Sequence, residues 1–463
     1  MLAENRRQLI VGLLGATVLI IAALVCVWIY QSLTKGTISL STNNDEAGLQ
    51  IKSGGSVVAE GKHRLSVRVK PGSYVVTAST STASTSRTVA IKARQKQSVE
   101  LPLSNPVAPV PVYGGGARDV AAGGVRLIFI NTDSRLSQIN AQNQVQVLDA
   151  TRVLRSARWV SSDAGAAQDD KGNFYYVTAG ALVPVAAPFA AGSRSASYAI
   201  DGDRNLYLSN GQDVYKGSAG GAFTKIYSSG ARYNIGLAAG SGNLAIIEKD
   251  SDGTTSIAVV TASGKTVKKT VDAGSLSWSP GGRHLAVAGG GSVTIFDQTL
   301  GKVSGIAQRD AGNIIWQDDD TVLFSAGNQL LSYNAQEERS SQLSNVPGNG
   351  RVLGVSLSDD KQYAYLVAQR RNSDTTTDQI FRVGLRGQAD EAKLQALSVF
   401  LPTEVGVCSI DYVNFAKLTI TIRYPSSGTD PALCVRAAQG ELRYYDLDVP
   451  TGDFTTTPYT VVY

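Results

Sequence analysis

Hydrophobic and polar residues follow three different rhythms along this chain. From Leu9 to Tyr30 the run LIVGLLGATVLIIAALVCVWIY holds no charged residue. As a helix it rises about 33 Å, enough to cross a hydrocarbon core of about 30 Å. From Gly36 to Leu103 apolar and polar residues alternate with period two in six short runs, TISLST, GLQIKS, HRLSVRVK, SYVVTAS, TVAIKA and SVELPL, the pattern of half-buried strands. From about Val120 onward one unit recurs: a turn with Gly, Asn or Asp, then four to six β-prone apolar residues, then a second short strand.

The flanks of the first run set an orientation. Arg6 and Arg7 precede it, and Trp28 and Tyr30 close it, where amphipathic rings suit the far interface and the positive end stays inside. A cleaved signal peptide would carry an apolar region of about 7 to 15 residues followed by small residues, whereas QSLTK follows here. The expectation is therefore a single-pass plasma membrane protein with a cytoplasmic tail at 1–8, a transmembrane helix at 9–30 that partners membrane lipid, and all later domains outside the cytoplasm. Gly12 and Ala16 form a small-xxx-small pair, a spacing common by chance in apolar runs.

Within the second segment Lys70-Pro71-Gly72-Ser73 predicts a tight turn joining antiparallel strands, since Pro sets φ and Gly relaxes it. Arg68 to Ala78, RVKPGSYVVTA, resembles the strand, PG turn and Y-x-V strand of the PEGA domain, with Asp45-Glu46-Ala47-Gly48 where that family's name-giving tetrapeptide would stand. The resemblance implies a small surface-associated β-sandwich over 36–103 that acts as a spacer or adhesive module. Thr80 to Arg87 reads as a polar loop. His63, beside Lys62 and Arg64, reads as a solvated surface residue. Residues 104–119, SNPVAPVPVYGGGARD, read as a linker, extended by proline and loosened by glycine.

In the third segment the clearest copies of the leading strand start at Val125, Gly172, Arg204, Gly242, Arg283, Asp320, Lys361 and Ala416, spaced 47, 32, 38, 41, 37, 41 and 55 residues apart. Spacing near 40 with several strands per unit is the signature of propeller blades. Ser277 to Ala288, SWSPGGRHLAVA, resembles the blade repeat of TolB-type propellers, with Gly281 in place of the usual Asp. Asn313 to Ala326 and Gly354 to Val367 resemble weaker copies. Asp169 to Val177 (DDKGNFYYV) and Asp201 to Leu208 (DGDRNLYL) resemble the D-x-x-G-N-x-Y pattern of NHL-type propellers. Seven blades are expected over 120–463, with six or eight open, and the ring can close by an amino-terminal strand completing the last sheet. The fold class is an all-β exported region, a small sandwich plus a propeller, behind one amino-terminal transmembrane α-helix.

Composition narrows the chemistry. The 463 residues carry a net charge of +5 with bases and acids interspersed, so no nucleic-acid-binding patch is read. The two histidines, His63 and His284, stand near no nucleophile motif, and G-x-S-x-G, H-E-x-x-H, C-x-x-C and phosphate-loop patterns are missing. Catalytic residues and cofactors are therefore not expected. Glu248-x-Asp250-x-Asp252-Gly253 opens like a calcium loop, but Val259 stands where an EF-hand would place its bidentate Glu; an acidic hairpin turn reads the same. Ser161-x-Asp163-x-Gly165 starts like an Asp-box without the aromatic that should follow. Cys408 and Cys434, 26 residues apart, are either a disulfide in an oxidising exterior or two buried thiols; Cys26 reads as inert. The expected function is a membrane-anchored cell-envelope protein whose propeller binds a protein or glycan partner in a scaffold or adhesion role. The alternative is a propeller enzyme acting on a surface polysaccharide or lactone-like substrate.

Overall fold

The computed structural model describes residues 34–385, apart from short gaps at 82, 105, 108, 124–125, 141–143, 191–196, 231, 347–349 and 372–375. Beyond 385 it describes the strands Ser398–Val399, Thr403–Val405, Cys408–Asn414, Thr419–Arg423 and Tyr459–Val462. Residues 9–30, read above as a membrane helix, lie outside the described residues; among the described residues no helix is long and apolar enough to cross a membrane. The chain divides into two compact units, Met1–Asn105 with Arg339–Ser341, and Pro106–Glu338 with Gln342–Tyr463.

The first unit is a β-sandwich of seven strands: β1 (Gly36–Ser41), β2 (Gly48–Ser53), β3 (Ser56–Lys62), β4 (Arg64–Val69), β5 (Gly72–Ser79), β6 (Ser84–Ile91) and β7 (Lys96–Glu100). One layer has the order β4-β1-β7 and the other runs β6-β5-β2-β3. Alternation along each strand aims Ile38, Leu40, Leu49, Ile51, Tyr74, Val76, Val89 and Val99 into one core between the layers. Fully burying one such side chain contributes about 1.5 to 3 kcal/mol.

Three local expectations change. The Lys70–Ser73 turn does not close a hairpin: β4 and β5 lie in opposite layers, so it carries the chain across the core. Tyr74 secures the crossing by donating its hydroxyl to the Lys70 carbonyl at 2.6 Å. β3 carries no readable alternation because it is an edge strand exposed along most of its length. The segment read as a polar loop enters β6 at Ser84, where Thr85 is buried; alternating Ser and Thr serve a strand as well as a loop.

The second unit is a ring of seven blades. The inner strands are Ala117–Gly123, Leu154–Ser161, Ser197–Ile200, Tyr233–Gly240, Ser275–Trp278, Ala311–Trp316 and Arg351–Leu357. Each lies beside the next, and the seventh lies beside the first. Every inner strand leads outward through an antiparallel meander. The middle strands are apolar on both faces because blades cover them on both sides. In blade 4, Ala245 and Ile247 pack with Trp278 and Leu285 of blade 5, while Leu244 and Ile246 pack with Tyr207 and Tyr227 of blade 3.

The ring closes in two places. The seventh sheet has only three strands of its own, and its outermost strand is β8 (Val110–Tyr113), antiparallel to Thr376–Gly384. Part of the segment read as a linker is thus structural: Val107 donates to the Leu343 carbonyl at 2.7 Å, and Ser344 donates to the Val107 carbonyl at 2.6 Å. Gly116 then turns the chain into blade 1 at φ +84°, where a Cβ would stand 2.2 Å from Thr132. On the inner side the Asp359 amide donates to the Ala122 carbonyl at 2.9 Å.

The uneven repeat spacing has a physical source. Second strands start at 126, 164, 206, 243, 284, 321 and 363, steps of 38, 42, 37, 41, 37 and 42. The copy read at Gly172 is the third strand of its blade, Phe174–Thr178. Its true second strand, Ala164–Asp169, is AGAAQD, whose small side chains fill a tight gap and give no β-prone signal. The copy at Ala416 enters Thr419–Arg423, which pairs with Cys408–Asn414 and Tyr459–Val462 in a separate sheet rather than an eighth blade.

Candidate recognition site at one mouth of the ring

Four strands per blade return the chain to the face where it began, so every inner strand starts at the same mouth of the ring. Near that end five of the seven inner strands carry one residue more than their partners. Ala121 and Arg118 face Ile128 and Ile130, Leu154 and Ser156 face Asp169 and Gln168, and Asn234 and Gly236 face Glu248 and Ile247. The same slip separates Gly312 from Ile315 and Val352 from Gly354. A bulge re-aims the extra side chain. Here it leaves Arg155 exposed, with Ile235 at 52% and Leu353 at 41% exposure. Tyr233, the first residue of its strand, is 53% exposed.

At the other two bulges the turned-out residue is polar and binds the next blade. Asp119 (φ +49°) accepts the Ala157 amide at 2.9 Å, and Asn313 (φ +46°) donates to the Val352 carbonyl at 3.2 Å. Burial pushes the Asp119 carboxyl above its usual range, against the Ala157 bond and the nearby Arg158 and Arg118. The wall behind Tyr233 is polar and satisfied. Glu248, fully buried opposite Asn234, accepts from the Tyr227 hydroxyl and has Lys268 Nζ at 3.2 Å from both of its oxygens. Burial and that bond raise the Tyr227 hydroxyl well above the ordinary tyrosine range.

This arrangement revises the calcium reading. Glu248 is committed to Tyr227 and Lys268, Asp250 to the Thr254 amide at 2.8 Å and Arg232 at 3.4 Å, and Asp252 sits on the exposed turn. Among the described residues no group of three such side chains is placed to hold a metal ion.

Asp250 instead belongs to a hairpin turn used six times. In each, the side chain of residue i accepts the amide of i+4, while residue i+3 has positive φ, as in a type I turn with a G1 bulge. The members are Asn131/Arg135, Asp169/Asn173, Asp201/Asn205, Asp250/Thr254, Thr261/Lys265 and Asp297/Gly301. Their positive-φ residues are Ser134, Gly172, Arg204, Gly253, Gly264 and Leu300. In the D-x-x-x-N-x-Y copies a further bond recurs: Tyr175 donates to Asp169 at 2.9 Å and Tyr207 to Asp201 at 3.0 Å. That is why the pattern couples Asp, Asn and Tyr.

The other singled-out residues are spread apart. His63 Nδ1 lies 2.9 Å from Asp45 in the sandwich. His284 stacks on Trp316 with its Nδ1 3.1 Å from the Asp319 carbonyl. Asp163 pairs with Arg126 at 2.8 Å across blades 1 and 2. Cys408 opens a strand of the sheet beyond the ring, and Cys434 lies outside the described residues. Sequence reasoning missed Arg155, Ile235 and Leu353, for a bulge leaves no mark beyond a break in alternation.

These features define a seven-bladed β-propeller beside a small β-sandwich. No family model and no curated protein matches the chain. Among solved structures it is similar to a chain of the mitotic checkpoint complex, at 17% identity and TM-score 0.44, covering 60% of this chain and 93% of that one. It is also similar to YCF48 bound to D1 peptide, at 10% identity and TM-score 0.44, covering 61% of this chain and 97% of that one.

Proposed function

We propose that this chain is a membrane-anchored recognition protein of the cell envelope, held by residues 9–30 and engaging a protein partner at the mouth where the inner strands begin. The observation that carries the reading is the exposure of Ile235 and Leu353 on bulges of two inner strands. A rigid ring that turns aliphatic side chains outward at one mouth suits the apolar centre of a protein interface, rimmed here by Arg155 and Arg351. Aliphatic groups favour a protein over a glycan, and the sandwich serves as a PEGA-like spacer. The enzymatic alternative would need carboxylates converging at the channel, whereas Asp119 is occupied with the amide of the next blade.

Site-specific photocrosslinkers at Ile235 and Leu353, installed in cells, test this against the exposed outer-strand Val303. Both mouth positions should yield one shared protein adduct that Val303 does not give. Identical products from all three positions, or glycan adducts alone, would refute the docking face. The topology is tested separately by protease added to whole cells, which should cut beyond residue 34 without lysis.

A further inference from the structure

The sandwich is polarised in charge. Residues 36–103 hold nine Lys and Arg against four Asp and Glu, and the 360 residues that follow hold 31 against 33. Within the sandwich the bases gather where β1 begins. Arg68 and Lys96 flank Thr37 on the two neighbouring strands. Lys70 follows β4, and Lys92 and Arg94 lie in the connection before β7, where the Arg94 amide donates to the Lys35 carbonyl at 3.1 Å. Arg68, Lys70, Lys92, Arg94 and Lys96 are all exposed.

The acids lie toward the opposite end. Glu100 faces Ser41 at the finish of β1, Asp45 and Glu46 follow in the next turn, and Glu60 faces Gln50 in the half of β2 nearest that turn. The basic end is also the end at which the chain arrives, for Lys35 stands five residues after the uncharged run 9–30. A short tether brings that end to within a few residues' reach of whatever holds the run.

We propose that this end of the sandwich docks on anionic phospholipid headgroups, which rests on the reading of residues 9–30 as a bilayer anchor. Five exposed cations on strand ends and tight turns form a face, not a floppy tail, and each gains from the negative surface potential within a Debye length. Docking sets the sandwich upright on the bilayer, where the tether alone would leave it free to tumble.

The test uses the full chain in vesicles of phosphatidylcholine alone or mixed with phosphatidylglycerol, probed by an amine-acylating reagent and mass spectrometry. Lys70, Lys92 and Lys96 should react several-fold more slowly in the anionic vesicles, and Lys62 at the far end equally in both. The protection should vanish in about 1 M salt, where the Debye length is about 3 Å, and should weaken in the Arg68→Gln/Arg94→Gln variant. Equal reactivity in the two vesicle types overturns the docking face. Alkaline carbonate separates the premise: protein released by it, yet protected in anionic vesicles, would refute the anchor alone, whereas resistant protein without protection would refute the docking alone.

Discussion

Trp316 donates its indole N–H to the carbonyl of Ser277, 2.9 Å away on the inner strand of the preceding blade. Trp278 does the same to Ala238 at 3.2 Å, and Trp159 to Asp119 at 2.7 Å. The chain has four tryptophans, and the three outside the apolar run each pin one blade to the blade before it. Trp316→Phe keeps most of the ring's apolar surface but strands a carbonyl. Urea unfolding should show a loss of about 1 to 3 kcal/mol, against about 3 to 5 kcal/mol for Trp316→Ala.

The repeated turn separates two residues of the same backbone shape. Arg204 (φ +61°) is exposed, so Arg204→Gly relieves the left-handed strain at no packing cost and should stabilise by about 0.5 kcal/mol after the entropy of glycine is subtracted. Leu300 has the same φ but is buried in the core between blades 4 and 5. Leu300→Gly should therefore destabilise by about 2 kcal/mol. Paired thermal melts decide both signs.

Gly281 stands where a TolB-type turn would carry Asp, and the neighbour supplies the missing carboxylate. Asp319 accepts the Gly281 amide at 2.7 Å and Arg283 at 3.0 Å, and a Cβ at Gly281 would meet its oxygen at 2.7 Å. Gly281→Asp and Asp319→Ala should each cost about 1 to 2 kcal/mol, while the double variant recovers part of the loss. Simple additivity in that cycle would argue against the exchange.

Asp149 gives the ring an acid limit. Burial opposes its ionisation, but bonds from Thr151 at 2.7 and 2.8 Å and from Arg152 outweigh it and hold its pKa at about 2. A lowered folded pKa means stability that is present above the unfolded value near 3.8 and lost as pH falls toward 2. The stability gap between wild type and Asp149→Asn should be on the order of 2 kcal/mol at neutral pH and close progressively below about pH 4.

If Asp250 and Glu248 serve the hairpin and the Tyr227–Lys268 wall, divalent-ion removal should leave the melting midpoint unchanged. A drop on adding chelator, reversed by calcium, would restore the metal loop.

Much of the ring was legible and some of it was not, for local reasons. Bulky second strands such as His284–Gly289 announce themselves, because a strand buried on both faces must be apolar throughout. AGAAQD does not, so the repeat appeared to stumble at blade 2. The Asp-rich turns were read correctly as caps on hairpins, since Asp and positive φ are local properties. Register slips at Ile235 and Leu353 depend on partners some 13 to 14 residues further along the chain, and nothing local encodes them. The strand at Val110–Tyr113 was hidden by its prolines, which an outermost strand tolerates.

The outermost strand of blade 7 carries a cost in time. Pro111 meets Phe381, a partner 270 residues away. A ribosome must therefore finish six blades before the clasp has anything to grip, and until then an apolar sheet margin lies open to other nascent chains. Helpers that shield growing polypeptides should matter more for this architecture than for a domain fastened by its nearest neighbours.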